Sequence, residues 1–187
     1  QLGSPPSGLP QSEDCLFLNV YAPADADASN PLPVLFWIHG GGLVVGSSSW
    51  PGYHPTVAEA TSLQAVVVSL NYRLGPFGFL TNTQLQAESH TTSNVGLQDV
   101  IAALRWVQTE IGAFGGDPNA VTVHGQSAGG TLVLALMEVE EVGSYFTRAE
   151  GAALGWSGSN PNSSAQPATS NDQLCVSCVP ARGWGGR

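Results

Sequence analysis

A three-layer α/β architecture, in which a mostly parallel sheet carries helices on both faces, is the fold class this sequence predicts. Two short continuous apolar runs, "VLFWIHG" at 34–40 and "AVVVSLNYR" at 65–73, have the uninterrupted character of strands buried on both sides. A helical period occupies 94–111, where Leu97, Val100 or Ile101, Leu104, Val107 and Ile111 recur three or four positions apart. A third strand-like run, "AVTVHG" at 120–125, passes directly into a helix-like "SAGGTLVLALMEVEE". Strands alternating with helices imply parallel pairing through right-handed crossovers.

The remaining elements follow in order. After a Pro-rich start, "CLFLNVYAP" (15–23) alternates and is rich in β-formers, so it reads as a strand, and "ADADASNPLP" (24–33) as a turn-forming link. The run at 34–40 stops at three glycines, Gly40 to Gly42, and "PTVAEATSLQ" (55–64) supplies a short crossover helix. Asn94 is the expected N-cap of the long helix, and "FGGDP" at 114–118 its stop. Beyond about residue 150 the composition shifts. "GWSGSNPNSSAQPATSNDQ" is rich in Ser, Asn, Pro and Gly without a period. The expected division is therefore a folded unit at 1–150 and a polar tail, loop or disordered, at 151–187. No internal repeat is visible, and the glycosylation-type triplet Asn162-Ser163-Ser164 is of a kind that arises often by chance.

Composition excludes several functions. The chain has 187 residues, enough for one domain with a substantial core. A net charge of −9 with five Lys plus Arg would repel a phosphate backbone, so nucleic acid is excluded as a partner. The longest apolar runs fall far short of the roughly 18 residues of a membrane span, and the opening "QLGSPPSGLP" shows no signal peptide. Of the three cysteines, Cys15 lies in a strand-like run, while Cys175 and Cys178 form a lone CxxC. Without a second CxxC or histidines at zinc spacing they argue no metal site.

The chemistry concentrates at Gly125-Gln126-Ser127-Ala128-Gly129. A serine between two glycines, at a sharp strand-to-helix turn, is held in a strained conformation with its hydroxyl exposed at the top of the sheet. The helix N-terminus adds a positive field for negative charge developing nearby. A second constellation, "HGGG" at 39–42, ends another strand. Pre-aimed backbone N–H groups are the best stabilisers of a tetrahedral oxyanion, and glycines let such a backbone come close. A phosphate-cradling loop is the rival reading, but the Lys-Ser/Thr it requires does not follow. His39 and His124 are tempting bases for Ser127 and both are rejected. Each reads as a packed or loop-supporting imidazole, because in this arrangement the partners follow the serine in the order Ser, Asp/Glu, His. All four histidines, His39, His54, His90 and His124, precede Ser127.

"EDCLFLNVYAP" (13–23) and "FGGDPNAVTVHGQSAGG" (114–130) resemble the two signature segments of the type-B carboxylesterase family, which includes cholinesterases and many fungal esterases and lipases. "LPVLFWIHGGG", "VVVSLNYRLGPFGFL" and "NVGLQDVIAALRWVQ" fall in the family's order, so the resemblance runs from about 11 to about 137, with a weaker echo in "SYFTRAEGAALGWSGS". It implies an α/β-hydrolase fold, truncated after the nucleophile elbow and its helix. Ser127 is then the acyl-forming nucleophile, and Gly41, Gly42 and Ala128 supply the oxyanion-hole N–H groups. Gln126 stands where cholinesterases carry Glu. Cys15 matches a cysteine that members pair with one upstream, and none is present here. Members run to more than twice this length, and their acidic residue and histidine lie in the part not represented. In the family's sheet order a further strand follows the nucleophile helix. Unless the tail supplies it, residues 120–125 become an exposed sheet edge and Leu132, Leu134 and Leu136 lose cover.

The resulting expectation is a serine carboxylic-ester hydrolase, acting on small-molecule or lipid esters without metal or cofactor, secreted by resemblance, and with these residues alone inactive or nearly so. Leu43, Trp50 and Trp156 are the pocket-wall candidates. A catalytically silent adhesion or binding protein is the alternative from another class; such relatives generally lack the nucleophile that is present here.

Overall fold

A computed structural model describes residues 12–51, 54–84, 87, 94–153 and 174–176, the backbone alone being described at 152–153 and 174–176. Four strands carry the centre: β1 (Leu18–Tyr21), β2 (Leu32–Ile38), β3 (Val66–Leu70) and β4 (Gly116–Gln126). They are joined by α1 (Val57–Leu63), a short α2 (Gly75–Phe79) and α3 (Val95–Glu110). After β4 come α4 (Ala128–Met137), β5 (Arg148–Ala153) and β6 (Leu174–Val176). The six strands form one sheet in the order β1-β3-β2-β4-β5-β6. The inner pairs β3–β2, β2–β4 and β4–β5 are parallel, and the outer strands β1 and β6 run antiparallel to their neighbours.

Local chemistry accounts for these elements. All five residues of β3, Val66 to Leu70, are buried, as an apolar run covered on both faces requires. The crossover helix α1 begins with a capping box: Thr56 Oγ1 accepts from the Glu59 N–H at 3.2 Å, and the Thr56 N–H donates to Glu59 Oε2 at 2.7 Å. On α3 the residues read as a helical period, Leu97, Val100, Ile101, Leu104 and Val107, are buried, together with Gly96. Asn94 occupies the N-cap position but makes no side-chain cap bond, and Ile111 is buried from a 3-10 turn, Ile111–Phe114, that Gly115 closes at φ +75°.

Three boundaries differ from the sequence reading. β4 starts at Gly116, because pairing with β2 begins at Leu32↔Gly116 and resumes at Val34↔Val121 after an irregularity. The helix after Ser127 stops at Met137. Glu138, Glu140 and Glu141 would crowd like charge onto the negative end of the helix dipole, and the chain turns into a 3-10 segment, Glu140–Val142, instead. The third difference corrects the expected exposed edge: β5 pairs with β4 from Thr122↔Arg148 to Gln126↔Ala152, so β4 is an interior strand, and Leu132 and Leu136 are buried. β5 also runs across the compositional boundary at 150, and β6 pairs with it from within the tail.

The connections place the helices and point to a site. The chain leaves β2 toward β3 through α1, returns past β2 to β4 through α3, and continues to β5 through α4. Right-handed crossovers in opposite directions put α1 on one face and α3 with α4 on the other. The reversal falls between β2 and β4, and in open α/β sheets ligands bind outside the carboxyl ends of strands at such a switch point. Those two carboxyl ends are followed by His39-Gly40-Gly41-Gly42 and by Ser127.

Candidate active site

Ser127 sits at φ +56°, ψ −123°, a region that a side chain rarely adopts. Holding a non-glycine residue there costs on the order of 1–3 kcal/mol and needs a surrounding structure that over-determines it. The flanking glycines show how that is done. A Cβ on Gly125 would overlap the backbone of Gly129, and one on Gly129 would overlap the Ile38 carbonyl. Strand β4, helix α4 and the end of β2 therefore meet backbone to backbone beneath the serine, which is half-buried, and Ala128 behind it is buried.

The glycine loop lies against the same serine. A Cβ on Gly40 would stand 2.6 Å from the Gln126 carbonyl oxygen, 2.7 Å from Gln126 Oε1 and 3.0 Å from Ser127 Cβ. Gly41 adopts φ +117° and Gly42 φ +63°, and the turn closes on itself, Val44 and Val45 N–H both donating to the Gly41 carbonyl at 3.1 and 3.0 Å. As at the start of a helix, such a turn offers no acceptor to its own leading N–H groups. Among the described residues, chain neighbours aside, no atom lies within 4 Å of where a Cβ on Gly42 would sit. Leu43 follows at φ +62°, partly buried, and Trp50 is half-buried; Trp156 lies outside the described residues.

The described histidines are occupied elsewhere. His39 is fully buried; its Nδ1–H donates to the Gly40 carbonyl at 2.8 Å, and its ring stacks on Tyr72 with centroids 4.5 Å apart. Burial is the main cause that pulls its pKa down from 6.5 to about 4, against a smaller upward pull from the Gly40 bond, so the ring is neutral and props the loop. His124 points to the half-exposed side of β4, its Nδ1 3.4 Å from Glu150 Oε2. His54 is exposed, with Nδ1 3.1 Å from the Pro55 carbonyl, and His90 lies outside the described residues. Cys15 is a free, half-buried thiol; the side chains of Cys175 and Cys178 are not among those described. No helix among the described residues is long and apolar enough to cross a membrane.

Two features were not assigned from the sequence. Arg73 and Asp99 form a bidentate pair, Nε and Nη2 donating to Oδ2 and Oδ1 at 2.8 and 2.7 Å. Tyr72 donates its hydroxyl to the His39 carbonyl at 2.8 Å. The only trace of either in the sequence is "NYR" directly after a strand, which carries no spacing rule to read.

A family model described as the carboxylesterase family matches residues 1–165. The chain is 49% identical over 130 residues to cocaine esterase of Oryctolagus cuniculus, covering 70% of this chain and 23% of that protein. It is 48% identical over 139 residues to para-nitrobenzyl esterase of Bacillus subtilis (strain 168), covering 74% and 27%. A solved PNB esterase superposes with a TM-score of 0.69 at 44% identity, over 79% of this chain and 31% of that one. An esterase from Clostridium hathewayi, described as hydrolysing aliphatic aromatic polyesters, gives 0.69 at 42% identity over 75% and 28%. The chain thus spans about a quarter of the length of these curated relatives, 23% and 27%.

Proposed function

The chain belongs to the carboxylesterase family and has its α/β-hydrolase fold, and from that premise we propose that the protein hydrolyses carboxylic esters through an acyl-enzyme at Ser127. The observation that carries the reading is the serine's backbone: φ +56° at the carboxyl end of β4, with the glycine loop of β2 packed against it. Strain of that kind at the topological switch point is what a nucleophile elbow requires.

In this reading Ser127 Oγ attacks the ester carbonyl while a base removes its proton. The tetrahedral oxyanion is stabilised by the N–H groups of Gly41, Gly42 and Ala128, which need no reorganisation when the charge develops. Collapse expels the alcohol and leaves an acyl-serine, which water then hydrolyses. Residues 34–45 and 116–130 thus provide the nucleophile and the oxyanion donors. None of the 187 residues supplies a histidine after Ser127, and the proposed base comes from outside this set. Acting alone they are expected to retain a remnant of about 10³ to 10⁴-fold over water at best. The substrate class is a small-molecule or lipid ester, and the setting extracellular; the support for both is the resemblance to secreted esterases and lipases.

Turnover of p-nitrophenyl butyrate with added imidazole as an external base tests the assignment. After subtraction of the imidazole-only rate, stimulated turnover by the unsubstituted chain and none by Ser127→Ala is expected. Equal rates from both would remove Ser127 from the mechanism.

A further inference from the structure

The glycine loop beside Ser127 is poorly equipped to hold its own shape. Gly41, Gly42, Leu43 and Gly46 all have positive φ, at 117°, 63°, 62° and 117°. Beside the loop's own bonds at Gly40 and Gly41 and one from Asn19 Nδ2 to Ser48 Oγ at 3.0 Å, its anchors come from one short segment after β3. At the loop's start, the Tyr72 hydroxyl donates to the His39 carbonyl at 2.8 Å while its ring stacks on the imidazole. In its middle, the Gly75 N–H donates to the Leu43 carbonyl at 2.6 Å. At its far end, Asn71 Oδ1 accepts from the Ser48 N–H at 2.9 Å and from the Ser47 hydroxyl at 3.3 Å.

The segment is itself immobilised. The Asn71 N–H donates to the Phe17 carbonyl at 2.9 Å, and the Arg73 N–H to Asp99 Oδ2 at 2.9 Å, beside the two guanidinium bonds to the same carboxylate. Helices α2 and α3 close on the Arg73 carbonyl through glycines: a Cβ on Gly96 would stand 2.6 Å from it, and one on Gly78 would overlap it.

We propose that Asn71 and Tyr72 are positioning residues for acyl transfer to Ser127: the segment Asn71–Gly75 grips the glycine loop at its start, middle and end and thereby sets the direction of the Gly41 and Gly42 N–H groups. The proposal rests on the reading of Ser127 as nucleophile. Backbone donors stabilise a developing oxyanion only if they are aimed before the charge appears, and an error near 1 Å is costly. Because the oxyanion exists only in the transition state, a loosened loop lowers the limiting acylation rate and leaves ester affinity nearly unchanged.

The test is acylation of Ser127 by p-nitrophenyl butyrate in the 187-residue chain, followed by intact mass at alkaline pH, where hydroxide serves as the base. The limiting rate, the half-saturating ester concentration and the thermal transition are measured together. Tyr72→Phe, which keeps the ring stack, and Asn71→Leu are expected to lower the limiting rate on the order of 10-fold or more while half-saturation moves less than about twofold. Asn71→Asp keeps an acceptor oxygen and is expected to recover most of the rate. Undiminished limiting rates in Tyr72→Phe and Asn71→Leu, with the unsubstituted chain still acylated, overturn the positioning role alone. A rate lost only in step with the thermal transition, and not recovered by Asn71→Asp, overturns it too. No acylation of Ser127 in the unsubstituted chain overturns the nucleophile reading and this proposal with it.

Discussion

Gly40 lies directly against Ser127, close enough that a Cβ on the glycine would come within 3.0 Å of the serine Cβ. This contact joins the carboxyl ends of β2 and β4, so the spacing of the two strands is also the spacing of loop and nucleophile. Gly40→Ala forces the added methyl against the Gln126 carbonyl oxygen, 2.6 Å away. The loop must shift, and the Ser127 acylation rate is expected to fall on the order of 100-fold. A rate within twofold of the unsubstituted chain would mean that the loop's distance from the serine does not matter.

The backbone contacts beneath the serine should dominate stability. Gly129→Ala places a methyl on the Ile38 carbonyl, where neither partner is a flexible side chain, and a loss of about 3 kcal/mol is expected. Gly112→Ala meets nothing within 4 Å among the described residues, chain neighbours aside, and is expected to be neutral or stabilising by about 0.5 kcal/mol. Urea unfolding midpoints of the two variants check the contrast. Similar midpoints would show that the elbow relaxes more easily than its geometry implies.

Much of this arrangement can be read in the sequence because it is written in side-chain type. The apolar runs at 34–40 and 65–73 require burial, and Thr56 three residues before Glu59 specifies its own helix start. Strand β5 escapes such a reading: "RAEGAA" has no β-branched residue and lacks the apolar character of the other interior strands. Gly151 serves packing against α4, since a Cβ there would already lie 3.2 Å from the Gly130 carbonyl oxygen. The grip of Tyr72 on His39 is illegible for another reason. It joins positions 33 apart that only the β2–β3 pairing brings together.

The Arg73–Asp99 pair should stabilise the fold modestly. Asp99 is 7% exposed, but the Arg73 side chain is 41% exposed, so solvent screens much of the attraction. Asp99→Asn keeps the shape and removes the charge, and a loss of about 1 kcal/mol is expected in chemical unfolding. The Arg73 pKa, raised chiefly by its bonds to Asp99, lies far above neutrality, so this contribution should not vary between pH 6 and 9. A loss that changed across that range would implicate another group.

His39 gives the fold a pH dependence of definite sign. Its pKa is about 4 when folded and 6.5 when free, so between these values the unfolded chain binds the additional proton. The contribution is fully present above pH 6.5, falls as pH is lowered toward 4, and amounts to about 3 kcal/mol over the whole interval. Unfolding free energies measured from pH 7 to 5, before most carboxylates titrate, should decline in the unsubstituted chain and decline less in His39→Gln. Parallel pH profiles would remove His39 as the cause.

If Ser127 is the nucleophile, a covalent adduct forms there, and locating that adduct tests the assignment without relying on turnover. The chain, treated with a fluorophosphonate in imidazole buffer and digested, is analysed by tandem mass spectrometry. One phosphonylated residue, Ser127, is expected, with labelling suppressed by excess p-nitrophenyl butyrate and absent in Ser127→Ala. An adduct on a different residue, or labelling undiminished in Ser127→Ala, would contradict the assignment.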